Sequence, residues 1–184
     1  MYDDFTENTS IKSVLIEETL SWAKFIVIAV FFAVVINQFV IVNASIPTSS
    51  MEQSIMTNDR IVALRLSYTF TEPERFHIII FRFPDDESRL YVKRIIGLPG
   101  ETVNIRDGLV FINDSEVPLR DDFVNGHVFG NYGPFVVPEN SFFMLGDNRG
   151  NSEDSRAWDN PFVNKDGIVG RAIFKYWRGI GLLR

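Results

Sequence analysis

The sequence predicts a mainly β fold: a small antiparallel β-sandwich or open barrel behind one N-terminal transmembrane helix. Three observations carry this. Residues 25–42 form an 18-residue apolar run broken only by Asn37 and Gln38, which at ~1.5 Å per residue reaches roughly 27 Å, enough to cross a bilayer core. From Ile61 onward the apolar residues gather in short β-branched and aromatic runs, the pattern of strands. No amphipathic helical repeat follows the apolar run, so hairpins must supply the core.

In order, residues 1–20 are polar, with an apolar patch at Ile11, Val14, Leu15 and Ile16 beside Glu17 and Glu18. They read as a short tail holding a helical turn or two. Trp22 and Lys24 stand where interfacial anchors belong. Residues 25–36 contain no polar side chain. A cleavable leader has an apolar core of about 7–15 residues, but here apolar character resumes at Phe39. Asn43-Ala44-Ser45 imitates a cleavage site and is followed closely by Pro47, so the anchor reads as uncleaved. Lys12 and Lys24 precede the span and only Arg60 follows within twenty residues, which places the tail inside and the domain outside. The expected organisation is a cytoplasmic tail over 1–21, an anchor helix over 22–42 and an extracytoplasmic β domain over 43–184.

Strands are expected at 61–64, 77–83, 91–96, 102–105, 109–112, 142–145 and 168–177. Asp107-Gly108 between two of them is a two-residue hairpin signal. Residues 84–87 and 125–134 read as loops. There are no internal repeats.

Composition excludes several chemistries. The chain has no Cys, hence no disulfide, no thiolate nucleophile and no Cys-bound zinc. Two His, His77 and His127, without an HExxH helix leave almost nothing for a zinc hydrolase. The net charge of −6, divided evenly between residues 1–42 (2 basic, 5 acidic) and 43–184 (16 basic, 19 acidic), is no footprint for nucleic acid. No metal or other cofactor is expected.

Three stretches carry candidate chemistry. Ile46-Pro47-Thr48-Ser49-Ser50-Met51 delivers hydroxyls directly after the apolar run; alone, such a cluster is usually a linker. In Tyr91-Val92-Lys93-Arg94-Ile95-Ile96-Gly97-Leu98-Pro99-Gly100-Glu101, strand alternation puts Lys93 on one face with Tyr91 and Ile95, and Arg94 on the other with Val92 and Ile96. A lysine so placed either snorkels to water or loses its charge by desolvation and becomes a base. Residues 146–156, Gly-Asp-Asn-Arg-Gly-Asn-Ser-Glu-Asp-Ser-Arg, are rich in Asp and Asn. Their spacing fails as a calcium loop, since Arg149 and Ser152 hold ligand and glycine positions. Their mixed charges suit an internally paired loop, with Asp147 or Asp154 against Arg149, Arg156 or Arg94.

Together these stretches resemble the type I signal peptidases, the bacterial leader peptidase family, and among them the small Gram-positive type. The first resembles that family's Ser box, the second its Lys box and the third its C-terminal box, so the likeness runs from the anchor to about Phe174. Met51-Glu52-Gln53-Ser54-Ile55 departs from the usual Met-x-Pro-Thr-Leu, and Asn58-Asp59-Arg60 from Gly-Asp-Arg. The resemblance implies a membrane-anchored serine endopeptidase that removes signal peptides from exported preproteins after small residues (Ala-X-Ala). It assigns Ser50 as nucleophile, Lys93 as general base and Ser152 as the hydroxyl orienting the base. Thr48 and the Ser50 amide would form the oxyanion hole. Ile46, Pro47, Met51, Ile55, Tyr91 and Val92 would bind substrate, while Arg94, Asp154 and Arg156 would form structural ion pairs. Preproteins, membrane lipid and the protein translocation machinery are the partners it implies.

Other readings have less material. Self-cleaving repressors share the Ser-Lys arrangement but are soluble and carry a DNA-binding domain. A catalytically dead, membrane-tethered β-domain that binds exported peptides is at odds with Ser50, Lys93 and Ser152 occurring together. A Ser-His-Asp protease would need His77, in an apolar strand, or His127, in a loop.

Overall fold

Apolar residues on every side of a helix leave it no aqueous face, and that is the character of residues 25–36. The computed structural model describes residues 3–124, 129–177 and 179–183, with side chains from Ile16 on; the expected patch at Ile11, Val14 and Leu15 and the whole of His127 lie outside. Helix α1 (Asp3–Val35) runs into a π-helical turn, Ile36–Val40. Of this, Ile16–Val40 is long and apolar enough to cross a membrane, and Trp22, Phe25, Ile26, Phe31 and Phe32 are exposed. The predicted tail of one or two turns is instead continuous helix from Asp3. The predicted anchor boundary at 42 is also too late, because Ile41 and Val42 already belong to a strand.

Residues 41–184 form a separate unit. Its strands are β1 (Ile41–Ser45), β2 (Arg60–Leu64), β3 (Ile78–Phe83), β4 (Asp86–Gly97), β5 (Thr102–Arg106), β6 (Leu109–Ile112), β7 (Tyr132–Val136), β8 (Ser141–Leu145), β9 (Phe162–Asn164), β10 (Ile168–Lys175) and β11 (Gly181–Leu182). The larger sheet has the order β1-β2-β10-β3-β4-β8-β9, with β11 added to β10, and the smaller has β6-β5-β7. All pairings are antiparallel. The predicted mainly β, antiparallel architecture behind an apolar helix is therefore what the chain adopts.

Several strand assignments change: the short strands β9 and β11 were not expected, β4 starts at Asp86 instead of 91, and β10 ends at Lys175 instead of 177. β1 was hidden in the apolar run, although Val42 and Ala44 pack on the core while Asn43 and Ser45 point out, the alternation of a strand. β7 contains Gly133 and Pro134 and read as loop; it is an edge strand, where a missing N–H is tolerated. The expected loop at 84–87 is a two-residue turn, so β3 and β4 form one long hairpin with Phe83 opposite Asp86. The Asp107-Gly108 turn joins β5 to β6 as expected, both residues at positive φ (49° and 80°), as a type I′ turn demands.

The core has three parts. Ile46, Met51, Ile55, Ile61, Ile78 and Ile80 form one cluster. On the opposite face of β3 and β4, Ile79, Phe81, Phe83 and Ile95 pack with Phe142, Met144 and Trp158. Ile96, Val103, Val110 and Phe143 lie between the sheets.

Candidate active site

The 46–59 connection between β1 and β2 is held closed at its base by Ile46 N donating to Asp59 O (3.0 Å) and Asn58 N to Ile46 O (2.7 Å). Asn58 sits at φ 69°, a left-handed conformation that glycine or asparagine adopts most readily; Asn for Gly is therefore a compatible exchange. Gln53 sits at φ 94°, which a proline ring, fixed near about −65°, could not reach. The turn after Ser50 thus follows a path the usual proline would forbid. Met51 O accepts from Ile55 N (2.8 Å), drawing Met51 and Ile55 into the core and leaving Ser50 at the lip.

Lys93 comes from β4, paired with Ile79 of β3. The expected alternation holds: Tyr91 and Ile95 pack on the Phe81 side and Val92 on the Ile80 side. Lys93 is 4% exposed and Ser50 7%. Lys93 Nζ lies 2.6 Å from Ser50 Oγ. Burial lowers the Lys93 ammonium to about 8 against the upward pull of Asp154 and Glu153, because desolvation penalises the charged form. A neutral fraction of about a tenth at pH 7, growing as pH rises through 8 and in contact with a hydroxyl, is what a general base requires. Thr48 Oγ1 stands 3.4 Å from Ser50 Oγ.

The third stretch closes the site from β8. Gly146 lies so near that a Cβ there would come within 2.5 Å of Ser50 O and 2.2 Å of Ser152 Oγ, so only glycine fits. Asn148 N donates to Ser50 O (3.0 Å), Asn148 Nδ2 to Ser49 O (3.2 Å) and Asn151 Nδ2 to Ser49 Oγ (2.8 Å). The ion pairs sort as Arg94 with Asp147 and Arg156 with Asp154. Arg94 holds Asp147 through two bonds (2.8 and 2.7 Å) and also donates to Phe76 O and Ser54 Oγ. Asp154 Oδ2 accepts from Gly146 N. Arg149 pairs with Asp121, 2.8 Å away.

Not every expected residue arrives where its role needs it. Ser152 Oγ is buried without a hydrogen-bond partner, so the orienting bond to Lys93 is not made; the hydroxyl is pressed against Gly146 instead. Ile55 is fully buried behind Met51 and does not face the cavity that borders Ser50 and Lys93. That cavity, of about 990 Å³, is lined among others by Ile46, Pro47, Met51, Tyr91, Val92 and Glu153. His77 is engaged elsewhere, with Tyr68 Oη at 3.1 Å and the Glu74 amide at 3.2 Å. Sequence reasoning missed Asn148, Asn151 and Ser54, which were visible only as loop composition, and Asp121, whose partner lies across the fold. Among the described residues no cluster of His, Asp and Glu could hold a metal.

Residues 19–177 match the family described as signal peptidase, peptidase S26. The probable signal peptidase I-2 of Synechocystis sp. is 37% identical over 164 residues, covering 86% of this chain and 73% of that protein. The signal peptidase I of Leptolyngbya laminosa is 38% identical over 162 residues, covering 84% and 77%. A crystal structure of a signal peptidase I from Enterococcus faecalis, 34% identical, covers 55% of this chain and 97% of its own, with a TM-score of 0.47.

Proposed function

The chain belongs to the signal peptidase family, peptidase S26, and from that premise we propose that it is a membrane-anchored endopeptidase removing signal peptides from exported preproteins with a Ser50–Lys93 dyad. The observation that carries this reading is the 2.6 Å contact between two buried groups, one a lysine lowered to about 8.

Neutral Lys93 takes the proton of Ser50 Oγ as the oxygen attacks the scissile carbonyl. The oxyanion so formed is met by the Ser50 amide and the Thr48 hydroxyl, donors that matter most at the transition state. Lys93, now an ammonium, passes its proton to the leaving amine, and the signal peptide stays as an ester on Ser50. Lys93 then deprotonates a water that attacks the ester, and Ser50 recovers its proton as the peptide leaves.

Substrate binding draws on unpaired backbone. β1 is a sheet edge, and β4 is joined by β8 only from Arg94 on, so Ala44 and Ser45 on one strand and residues 89–92 on the other present strand edges to the cavity. An extended peptide adds there as a strand, and Ile46, Met51, Tyr91 and Val92 leave room for small side chains at the cut, the Ala-X-Ala pattern. Pro47 stiffens the entry to the nucleophile turn. Arg94, Asp154 and Arg156 hold the 146–156 loop against Ser50 and take no part in proton transfer. The helix through Val40 serves as a single-pass anchor, with the tail in the cytoplasm and residues 43–184 on the outer face, where preproteins, lipid and the translocation machinery meet it.

The test is cleavage of a detergent-solubilised preprotein, read by N-terminal sequencing of the product. The parent should release one mature N-terminus after a small residue, whereas Ser50→Ala and Lys93→Ala, both folded, should release none. Substantial cleavage by Lys93→Ala would remove the proposed base.

A further inference from the structure

Ser49 and Ser50 share one peptide unit, and its orientation decides where the Ser50 N–H points. The bond is trans; the only cis peptide among the described residues is Gly133-Pro134. A planar trans unit directs its C=O and N–H to opposite sides, so whatever holds the Ser49 carbonyl also aims the Ser50 amide. Two donors hold that carbonyl from different directions: Glu52 N at 3.0 Å, from the same turn, and Asn148 Nδ2 at 3.2 Å, from the far end of the chain. Among the described residues the Ser50 amide itself donates to no backbone carbonyl. Ser50 borders the cavity, so an amide without a backbone partner there is available to a substrate oxygen.

We infer that Asn148 is a positioning residue for the oxyanion hole, fixing the Ser49–Ser50 peptide plane so that the Ser50 amide faces the reacting carbonyl oxygen. The inference rests on the proposed role of Ser50 as nucleophile. A single bond from Glu52 leaves the peptide free to rock about that bond; the second donor removes this freedom. The side chain is well suited to the task because its own backbone is anchored, Asn148 N donating to Ser50 O at 3.0 Å. Truncating the amide therefore leaves the loop docked and removes only the second grip. Asn151 differs in kind: it holds the Ser49 hydroxyl, not the peptide.

A donor that acts on the oxyanion contributes at the transition state and little in the ground state. The full-length, detergent-solubilised protein is compared with Asn148→Ala and Asn148→Asp on a preprotein, measuring kcat and KM separately. Affinity for a peptide aldehyde, which forms a tetrahedral adduct on a serine, is measured alongside. The expected result is a kcat lowered about tenfold or more with KM changed less than about twofold, and aldehyde affinity falling in parallel. Asn148→Asp should be no better than Asn148→Ala, since a carboxylate offers the Ser49 carbonyl no donor. An unchanged kcat, or a loss confined to KM, in variants that melt like the parent would overturn the inference while leaving the dyad intact. Unaltered cleavage by Ser50→Ala would instead overturn the dyad itself.

Discussion

Lys93 Nζ and Ser50 Oγ stand 2.6 Å apart although 43 residues separate them in the chain. The contact exists because β4 runs through the middle of the larger sheet while the turn after β1 folds back over it. Its cost is a lysine held in a nearly dry place.

That cost is measurable. Below about pH 8 both folded and unfolded chains carry Lys93 as an ammonium, and burial penalises the fold in full. Between about 8 and the ordinary 10.5 the folded protein has released the proton and the unfolded chain has not, so the penalty shrinks as pH rises. Lys93→Met should thus be inactive but more stable at pH 7, by at most about 3 kcal/mol. The gain should fade toward pH 10.5. Melting temperatures that are equal, or a gain that grows with pH, would contradict this.

Ile46 and Ile55 should behave differently although both were expected to line the substrate pocket. Ile46→Ala, on the cavity wall, should raise the relative rate on a preprotein with Leu before the cut, a preference worth roughly 1–3 kcal/mol in the parent. Ile55→Ala, buried behind that wall at 0% exposure, should leave the preference alone and cost about 2–5 kcal/mol of stability. Competition between Ala and Leu substrates, with denaturant melts, separates the two effects.

The Arg94–Asp147 pair is buried on both sides. Asp147→Asn should destabilise the fold by about 3–5 kcal/mol, because it strands a buried guanidinium. Loss of activity should follow the loss of folded protein on a chemical melt; an inactive variant as stable as the parent would give Asp147 a direct part in the chemistry.

Orientation is tested by protease added to intact protoplasts. Digestion of residues 43–184 with survival of the N-terminal helix is expected; protection of the β domain would place the site on the cytoplasmic side.

Much of this was legible in the sequence where one local pattern sufficed. Strands β2, β5, β6 and β8 follow from runs of β-branched and aromatic residues, and the face of Lys93 follows from alternation along β4. β1 was lost because Ile41 and Val42 continue an apolar run whose helix in fact ends at a π-helical turn, Ile36–Val40, and nothing local marks the change of period. β7 was lost because Gly and Pro read as breakers unless the strand is known to be an edge. Ser50, Lys93 and Thr48 were found from their motifs and converge. Which arginine pairs with which aspartate was left open, since Asp121 and Arg149 meet only in the fold. Ser152 was expected on Lys93 and lies instead with a free hydroxyl beside Gly146, a matter of ångströms that no motif encodes.

The pH dependence of kcat/KM on a preprotein tests the central claim most directly. A base lowered to about 8 by burial must be neutral to act, so the rate should climb through a single ionisation near pH 8, and Lys93→Ala and Lys93→Arg should be inactive across the whole range, a guanidinium never losing its charge. A rate that peaks below pH 6, or a rising limb that survives in Lys93→Ala, would show that another group takes the proton from Ser50.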